Sequence, residues 1–258
     1  MNNTSLTHKM LITFLTAGDP SAECTAEYIL EMERAGADLV EIGIPFSDPT
    51  GEEAVIQEAN GRALKEGMTT QGIFQIVEKI RKKSQIPLAL ITYLNPVFHY
   101  GYDRFFQQCE KMGVDAVVIS DLPFVEQEEV RTQADKYHVA VISTVAASSR
   151  DRIQEIASHA KGFIPLSLPV GAVHNTVRNG VKDIVDDIRE VTNLPCVMGK
   201  ISSMEEAKSM AEICDGIVVD SAIVEIIKEY GTQAGEKIYQ YVKAMKDTIS
   251  ECEIEKMT

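Results

Sequence analysis

Short apolar segments rich in β-branched residues alternate with longer amphipathic segments from one end of the chain to the other. The apolar segments are nearly continuous in hydrophobic residues, which is typical of strands buried on both faces of a parallel sheet. They lie at 11–18, 38–44, 87–93, 116–121, 139–146, 162–168, 195–200 and 216–222. This pattern predicts eight parallel strands.

The intervening segments have apolar residues at spacings of three and four, which predicts helices that pack one face on the sheet. The first of them follows Asp19-Pro20-Ser21 and ends near Gly36, and both ends carry helix-capping residues. Two places favour a pair of helices, one after the second strand and one after the last: 54–66 with 70–84, and 221–229 with 232–248.

Eight strands that are each followed by a helix predict the α/β class and a closed (β/α)₈ TIM barrel. An open doubly wound sheet is the alternative, but it usually has fewer strands and often a glycine-rich first turn. No linker or change of composition divides the chain, so we expect one domain over 1–258, with a shortened N-terminal helix and a frayed tail at 250–258.

Composition and charge narrow the range of partners. The chain has 258 residues and a formal net charge of -14, which disfavours binding to nucleic acid or to anionic membranes. The N-terminus does not resemble a signal peptide, and no apolar run is long enough to span a bilayer. Five scattered cysteines without a CxxC pair indicate a reducing, cytoplasmic location.

Candidate chemistry is concentrated at the end of the second strand, because active sites of such barrels lie at the strand C-termini. Glu41 lies within this strand, where a carboxylate is costly unless it is paired or functional, and where burial raises its pKa towards acid–base use. A core carboxylate tied to a neighbouring strand is the alternative. The loop that follows carries Asp48, Glu52 and Glu53, which could also be solvated loop charges.

The run EIGIPFSDP at 41–49 closely resembles the signature of the tryptophan synthase α subunit family. Matching segments follow one another along most of the chain, at 14–20, 35–49, 91–101, 113–123 and 221–227. The resemblance implies a lyase of tryptophan biosynthesis, an aromatic amino acid pathway, that cleaves indole-3-glycerol phosphate to indole and glyceraldehyde 3-phosphate. It implies no cofactor, and it implies a β subunit as partner in an α₂β₂-type assembly.

By this resemblance Glu41 moves a proton at indole C3, and Glu52 polarises the indole N–H. Tyr93 lines the indole pocket, although a core tyrosine is an equal alternative, and Asp121 faces the mouth unless it caps a helix from Val125. The remaining substrate-binding positions are Phe14, Gly171, Gly199, Lys200, Asp220 and Ser221. The loop that would transmit signals to the β subunit contains Pro45, Asp48 and Pro49.

The chain departs from the family at the second catalytic carboxylate and at the phosphate-binding turns. Glu52 replaces an aspartate, and the added methylene displaces the carboxylate by roughly 1 Å, a shift that can cost about 10²-fold in rate. Asp220-Ser221 stands where the family has Gly-Ser, so that a carboxylate lies where phosphate would bind. Lys200 or His174 could offset that charge.

Two alternatives to the α-type lyase therefore stay open. One is a sister lyase or aldolase of the same fold that acts on a non-phosphorylated or different substrate. The other is a barrel that has lost catalysis and serves as a partner or regulatory subunit. The five histidines share no HxH or HxxxH spacing, so we expect no metal site.

Overall fold

The structure, a computed structural model, describes residues 8–167 and 174–257. Within these residues nine strands form one parallel sheet in the order β5-β4-β3-β2-β1-β9-β8-β7-β6. The strands are β1 Met10–Thr16, β2 Leu39–Gly43, β3 Leu88–Thr92, β4 Ala116–Ile119, β5 Ala140–Ile142, β6 Val145–Ala146, β7 Ile164–Ser167, β8 Cys196–Met198 and β9 Gly216–Val219. Every predicted strand segment overlaps at least one of them.

The sheet closes on itself through the fifth predicted segment. Within 139–146 the chain forms β5, which pairs with β4, and then β6, which pairs with β7. Only Ser143 and Thr144 separate the two strands, so both edges of the sheet lie on the same short piece of chain. The predicted (β/α)₈ barrel is confirmed, and its fifth strand is interrupted.

The helices alternate with the strands as the apolar spacing predicts. In the described residues they are α1 Ala22–Arg34, α2 Ala54–Lys65, α3 Thr70–Arg81, α4 Leu94–Tyr100, α5 Tyr102–Met112, α6 Glu128–Lys136, α7 Ile153–Ser158, α8 His174–Arg189, α9 Met204–Ala211, α10 Ser221–Tyr230 and α11 Gly235–Met257. Both predicted helix pairs are present. The Ser21 side chain accepts a hydrogen bond from the Cys24 amide at 3.1 Å, so the expected N-cap of α1 is also confirmed.

The C-terminal prediction is wrong over most of its length. A frayed tail was expected at 250–258, but α11 continues to Met257. Ile249 and Cys252 are buried, and their packing extends the helix beyond the last predicted turn. The shortened N-terminal helix was expected in residues that lie outside the described part of the chain, and the single domain stays a prediction. None of the helices in 8–167 or 174–257 is both long and apolar enough to cross a membrane.

Alternate residues of each strand face the barrel interior. On β2, Val40 and Ile42 belong to the large cluster between the strands and the surrounding helices. Leu39 belongs instead to a smaller cluster inside the barrel, with Ile12, Ala89, Ala116, Val118, Ile142, Phe163, Val197 and Val218. Because side chains alternate along a strand, Glu41 shares the interior face with Leu39.

Strands β1 and β9 approach each other so closely that Gly216 has no room for a side chain. A Cβ built at this position would lie 2.5 Å from the Met10 carbonyl oxygen. Since that atom belongs to the backbone of a paired strand, it cannot move aside without disturbing the ladder.

We expect Gly216→Ala to destabilise the protein by about 1–3 kcal/mol through overpacking. For a chain of this size each kcal/mol lowers Tm by roughly 2–4 °C, which differential scanning calorimetry can measure. The matched control is Gly180→Ala, because Gly180 lies in α8 and, among the described residues, no atom outside its own helix backbone lies within 4 Å of the added Cβ. The control should melt at or above the wild-type Tm, and equal Tm values for Gly216→Ala and wild type would contradict the close approach.

Candidate active site

Glu41 lies on the interior face of β2, between Phe14 of β1 and Ala89 of β3 in the strand register. Its residue surface is only 5% exposed. In 8–167 and 174–257 its carboxyl group has neither a hydrogen-bond partner nor a basic group in salt-bridge range. Burial raises its pKa to about 8, and the negative charges of Asp220 and Glu52 add to the shift. Glu41 is therefore protonated at neutral pH.

Glu52 reaches the same site from the loop between β2 and α2. The single proton of the Tyr93 hydroxyl is shared between the Thr50 carbonyl, at 3.1 Å, and the Glu52 carboxylate, at 3.4 Å. Burial raises the pKa of Glu52, and the nearby Lys200 ammonium opposes that shift. Asp48 and Glu53, the other carboxylates of this loop, are exposed. Of the three loop carboxylates, Glu52 is the one turned towards Glu41.

Two contacts with other elements fix the beginning of this loop. The backbone N–H of Phe46 donates to Asn60 Oδ1 at 3.1 Å, and Asn60 Nδ2 donates to the Ile56 carbonyl at 2.9 Å. The Phe46 ring stacks on Tyr93, with ring centroids 5.0 Å apart. Asn60 is not among the residues predicted from the sequence, where its one signal is that it is a polar residue on the buried face of the amphipathic α2.

Phe14 forms an apolar wall beside Glu41. Its ring occupies space that any side chain at position 43 would need, since a Cβ there would lie 2.8 Å from the ring. Gly43 is thus required by the packing of Phe14. The ring also packs in a small buried cluster with Val55 and Val224 of the surrounding helices.

Asp220 bounds the site on the side of β9. It is the N-cap of α10 and accepts a 2.6 Å hydrogen bond from the Ser221 backbone N–H. Burial raises the pKa of Asp220, the Glu53 charge raises it further, and the Lys200 ammonium opposes both effects. Lys200 itself is exposed, with a left-handed backbone (φ 60°) in the turn after β8. The preceding Gly199 donates its N–H to the Leu166 carbonyl at 3.2 Å.

Asp121 lies at the margin of this site, close enough for its charge to help raise the pKa of Tyr93. Asp121 is exposed and accepts a 2.7 Å hydrogen bond from the Leu94 backbone N–H at the start of α4. The alternative that Asp121 caps a helix from Val125 is wrong. Its carboxylate instead accepts the Leu94 N–H and so joins the loops that follow β3 and β4. Gly171 lies outside the described residues, as does the side chain of His174.

The predicted partner loop has a buried and an exposed part. Pro45 is buried, Pro49 is half-buried and Asp48 is exposed to solvent. Anchoring at one end and exposure at the other suit a segment that contacts both the site and a second molecule.

The site thus combines a proton donor with an acidic surrounding. The charges of Asp220 and Glu52 raise the pKa of Glu41, and that of Asp220 also raises the pKa of Glu52. The Lys200 ammonium lowers the pKa of both Glu52 and Asp220. Among the residues the structure describes, no group of His, Cys, Asp and Glu side chains is arranged to hold a metal ion.

The raised pKa of Glu41 predicts a pH-dependent cost to stability. The unfolded chain ionises this group near 4.5, whereas the folded chain keeps the proton until about pH 8. Stability is therefore least affected below pH 4.5, and it falls between the two values by up to about 1.4 kcal/mol per pH unit. We expect the Tm of Glu41→Gln, relative to wild type, to rise over this interval.

The control for this measurement is Glu110→Gln, because Glu110 is exposed on α5. Its Tm difference from wild type should stay flat across the same pH range. Parallel Tm curves for wild type and Glu41→Gln would show that Glu41 ionises normally in the folded protein.

Comparison with known proteins agrees with this arrangement. The family model described as tryptophan synthase alpha chain matches residues 2–253. The tryptophan synthase alpha chain of Alkaliphilus metalliredigens is 40% identical over 223 residues, covering 85% of this chain and 84% of the relative. That of Lacticaseibacillus casei is 38% identical over 242 residues, covering 93% and 91%.

Solved structures give the same result. Tryptophan synthase subunit alpha from Legionella pneumophila str. Paris superposes with a TM-score of 0.86 at 31% identity, covering 94% of this chain and 93% of that one. A chain of the Pyrococcus furiosus structure described as the basis of mutual activation of the tryptophan synthase α₂β₂ complex gives 0.84 at 30% identity, with coverage of 92% and 98%. This chain belongs to the tryptophan synthase alpha chain family.

Proposed function

We propose that this protein is a carbon–carbon lyase that cleaves indole-3-glycerol phosphate to indole and glyceraldehyde 3-phosphate. The observation that carries the proposal is Glu41, a carboxyl group that faces the barrel interior and keeps its proton at neutral pH. Cleavage needs such a proton, because indole is a poor leaving group until its C3 atom has been protonated.

Glu41 supplies the acid and then the base of a retro-aldol reaction. The protonated carboxyl donates to indole C3, which leaves a Glu41 carboxylate beside the glycerol chain. That carboxylate accepts the proton of the hydroxyl on the carbon attached to C3. The bond between this carbon and C3 breaks, the carbon becomes an aldehyde, and indole recovers its aromatic ring with Glu41 protonated again.

Glu52 and the aromatic residues around it orient the indole. The Glu52 carboxylate accepts a hydrogen bond from the indole N–H, which stabilises the positive charge that develops on the ring as C3 takes up its proton. Phe14 on one side and the stacked pair of Phe46 and Tyr93 on the other offer apolar surfaces for a flat ring. Burial keeps the pKa of Tyr93 high, so its hydroxyl stays a donor to Glu52.

The phosphate is held near the start of α10 and the turn after β8. A helix N-terminus provides free backbone N–H groups and a positive dipole end for an anion. The Lys200 ammonium lies at this end of the site, where Gly199 has no side chain and Ser221 a small one. Asp220 opposes the interaction, because its carboxylate already accepts one of these N–H groups.

Asp220 favours a second candidate function, a lyase of the same fold whose substrate carries no phosphate. A carboxylate at the first turn of α10 discriminates against a dianion and leaves Glu41 in place for proton transfer. The two candidates differ in one measurable property, the dependence of turnover on the phosphate group of the substrate.

We also infer a β subunit as the protein partner. The Pyrococcus furiosus relative forms an α₂β₂ complex according to its description. The loop containing Pro45, Asp48 and Pro49 supports the same assembly here, since it runs from the buried strand end to an exposed tip. A pathway enzyme with such a partner and a net charge of -14 fits a cytoplasmic location.

We expect Glu41→Gln to lower kcat for indole-3-glycerol phosphate by at least about 10²–10⁴-fold, the usual contribution of a general acid–base group. Indole release, followed with and without a β subunit from the same cell, is the measurement. Wild-type kcat should fall as pH rises through about 8, because ionised Glu41 has no proton to give. If Glu41→Gln has the circular dichroism spectrum of the native protein and full activity, Glu41 is not the general acid–base group.

Asp220→Asn should lower the KM for indole-3-glycerol phosphate by several-fold, because it removes a negative charge but keeps an oxygen that caps α10. Inorganic phosphate should also raise the Tm of the variant more than that of wild type. Glu66→Gln, on an exposed residue at the end of α2, is the charge-matched control. An unchanged KM and no phosphate response in either protein would favour the second candidate.

A further inference from the structure

An ion pair between a buried carboxylate and a half-buried arginine joins the loop after β1 to α2, the helix that follows the catalytic loop (residues 44–53, between β2 and α2). Asp19 is only 2% exposed, and its two carboxylate oxygens accept hydrogen bonds from Arg62 of α2. The distances are 2.8 Å from Nε to Oδ1 and 2.7 Å from Nη2 to Oδ2. Two parallel bonds to a planar guanidinium fix its direction as well as its distance.

Arg62 lies on the same helix as the residue that holds the catalytic loop. Two positions before it, Asn60 accepts the Phe46 backbone N–H. Phe46 in turn stacks on Tyr93, whose hydroxyl donates to Glu52. The contacts form one continuous series from Asp19 to the carboxylate of Glu52.

The first turn of α2 is tied to the loop before it by one side-chain contact, in which Gln57 Nε2 donates to the Glu52 backbone carbonyl at 2.8 Å. Its N-cap is Glu53, the residue directly after Glu52, and this side chain makes no capping hydrogen bond. The apolar packing of Val55 and Ala59 holds the helix against the barrel, but such packing tolerates small shifts and rotations. The Asp19–Arg62 pair restrains α2 against both movements.

We propose that Arg62 is a positioning residue for the lyase reaction: held by Asp19, it sets the placement of α2 and thereby of the loop that carries Glu52. The inference rests on the proposed function and adds a residue that does not touch the substrate. Glu52 must meet the indole N–H at hydrogen-bond distance, and a displacement of about 1 Å is enough to cost up to 10²-fold in rate.

The test compares Arg62→Leu with Arg81→Leu. Arg81 is a matched control because its side chain also projects from a helix, α3, and donates hydrogen bonds to the Ile86 and Gly113 carbonyls. Those carbonyls precede β3 and β4, at the opposite end of the barrel from Glu52. Both variants lose an arginine with several hydrogen bonds, but only Arg62 restrains α2, the helix that holds the loop between β2 and α2 through Asn60.

We expect Arg62→Leu to lower kcat at least about tenfold at a temperature well below its Tm, with a smaller change in KM. Arg81→Leu should lower Tm and keep the wild-type kcat. Arg62→Lys should recover part of the lost rate, since it keeps the charge without the two-point contact, and it replaces Arg62→Leu if that variant does not fold. Wild-type kcat in a folded Arg62 variant would overturn the proposal.

A second measurement does not depend on the reaction. Hydrogen–deuterium exchange of the peptide covering 44–53 should be at least about tenfold faster in the Arg62 variant than in wild type, and unchanged in Arg81→Leu. If wild type fails to cleave indole-3-glycerol phosphate, the proposed function fails and exchange alone decides the positioning role. Equal exchange of this loop in wild type and the Arg62 variant would contradict that role.

Discussion

The structure depends on the placement of an ionisable group inside a closed ring of apolar strands. Glu41 faces the barrel interior with no cation in the described residues to neutralise it, so folding favours its protonated form. The cost falls on stability, because the unfolded chain would ionise the same group at a lower pH. The gain is a carboxyl group that can donate a proton at neutral pH. A basic residue beside Glu41 would stabilise its carboxylate. The folded protein would then lose no stability through Glu41, but Glu41 would no longer be a proton donor at neutral pH.

The fold could be predicted from the sequence because each element has a strong local signal. Continuous apolar runs marked the strands, and Ser21 marked the start of α1. The interruption of the fifth strand could not be predicted in this way. Ser143 and Thr144 lie in a run of otherwise apolar residues, and that run predicts one continuous strand. The helical end of the chain was missed for a different reason: the burial of Cys252 depends on contacts with distant elements and not on local propensity.

The site was only partly predictable, and the division follows the range of the interactions. Glu41 could be predicted because a charged residue within an apolar strand is evident from the sequence alone. Asn60 and Arg62 act on residues 14 and 43 positions away, so their spacing reveals no contact. Asp121 was placed correctly at a strand end, but its partner, the Leu94 amide, belongs to the neighbouring strand's loop. Three-dimensional pairing decides these roles.

The acidic residue at the start of α10 affects proton transfer and ligand binding at the same time. Asp220 is the largest charge effect on Glu41 after burial, so it helps to keep that carboxyl protonated. An anion bound beside Asp220 would also raise the pKa of Glu41. The Lys200 ammonium has the opposite effect on its neighbours, because it lowers the pKa of Asp220 and of Glu52. Asp220 therefore weakens an anion site and strengthens the acid at the same time.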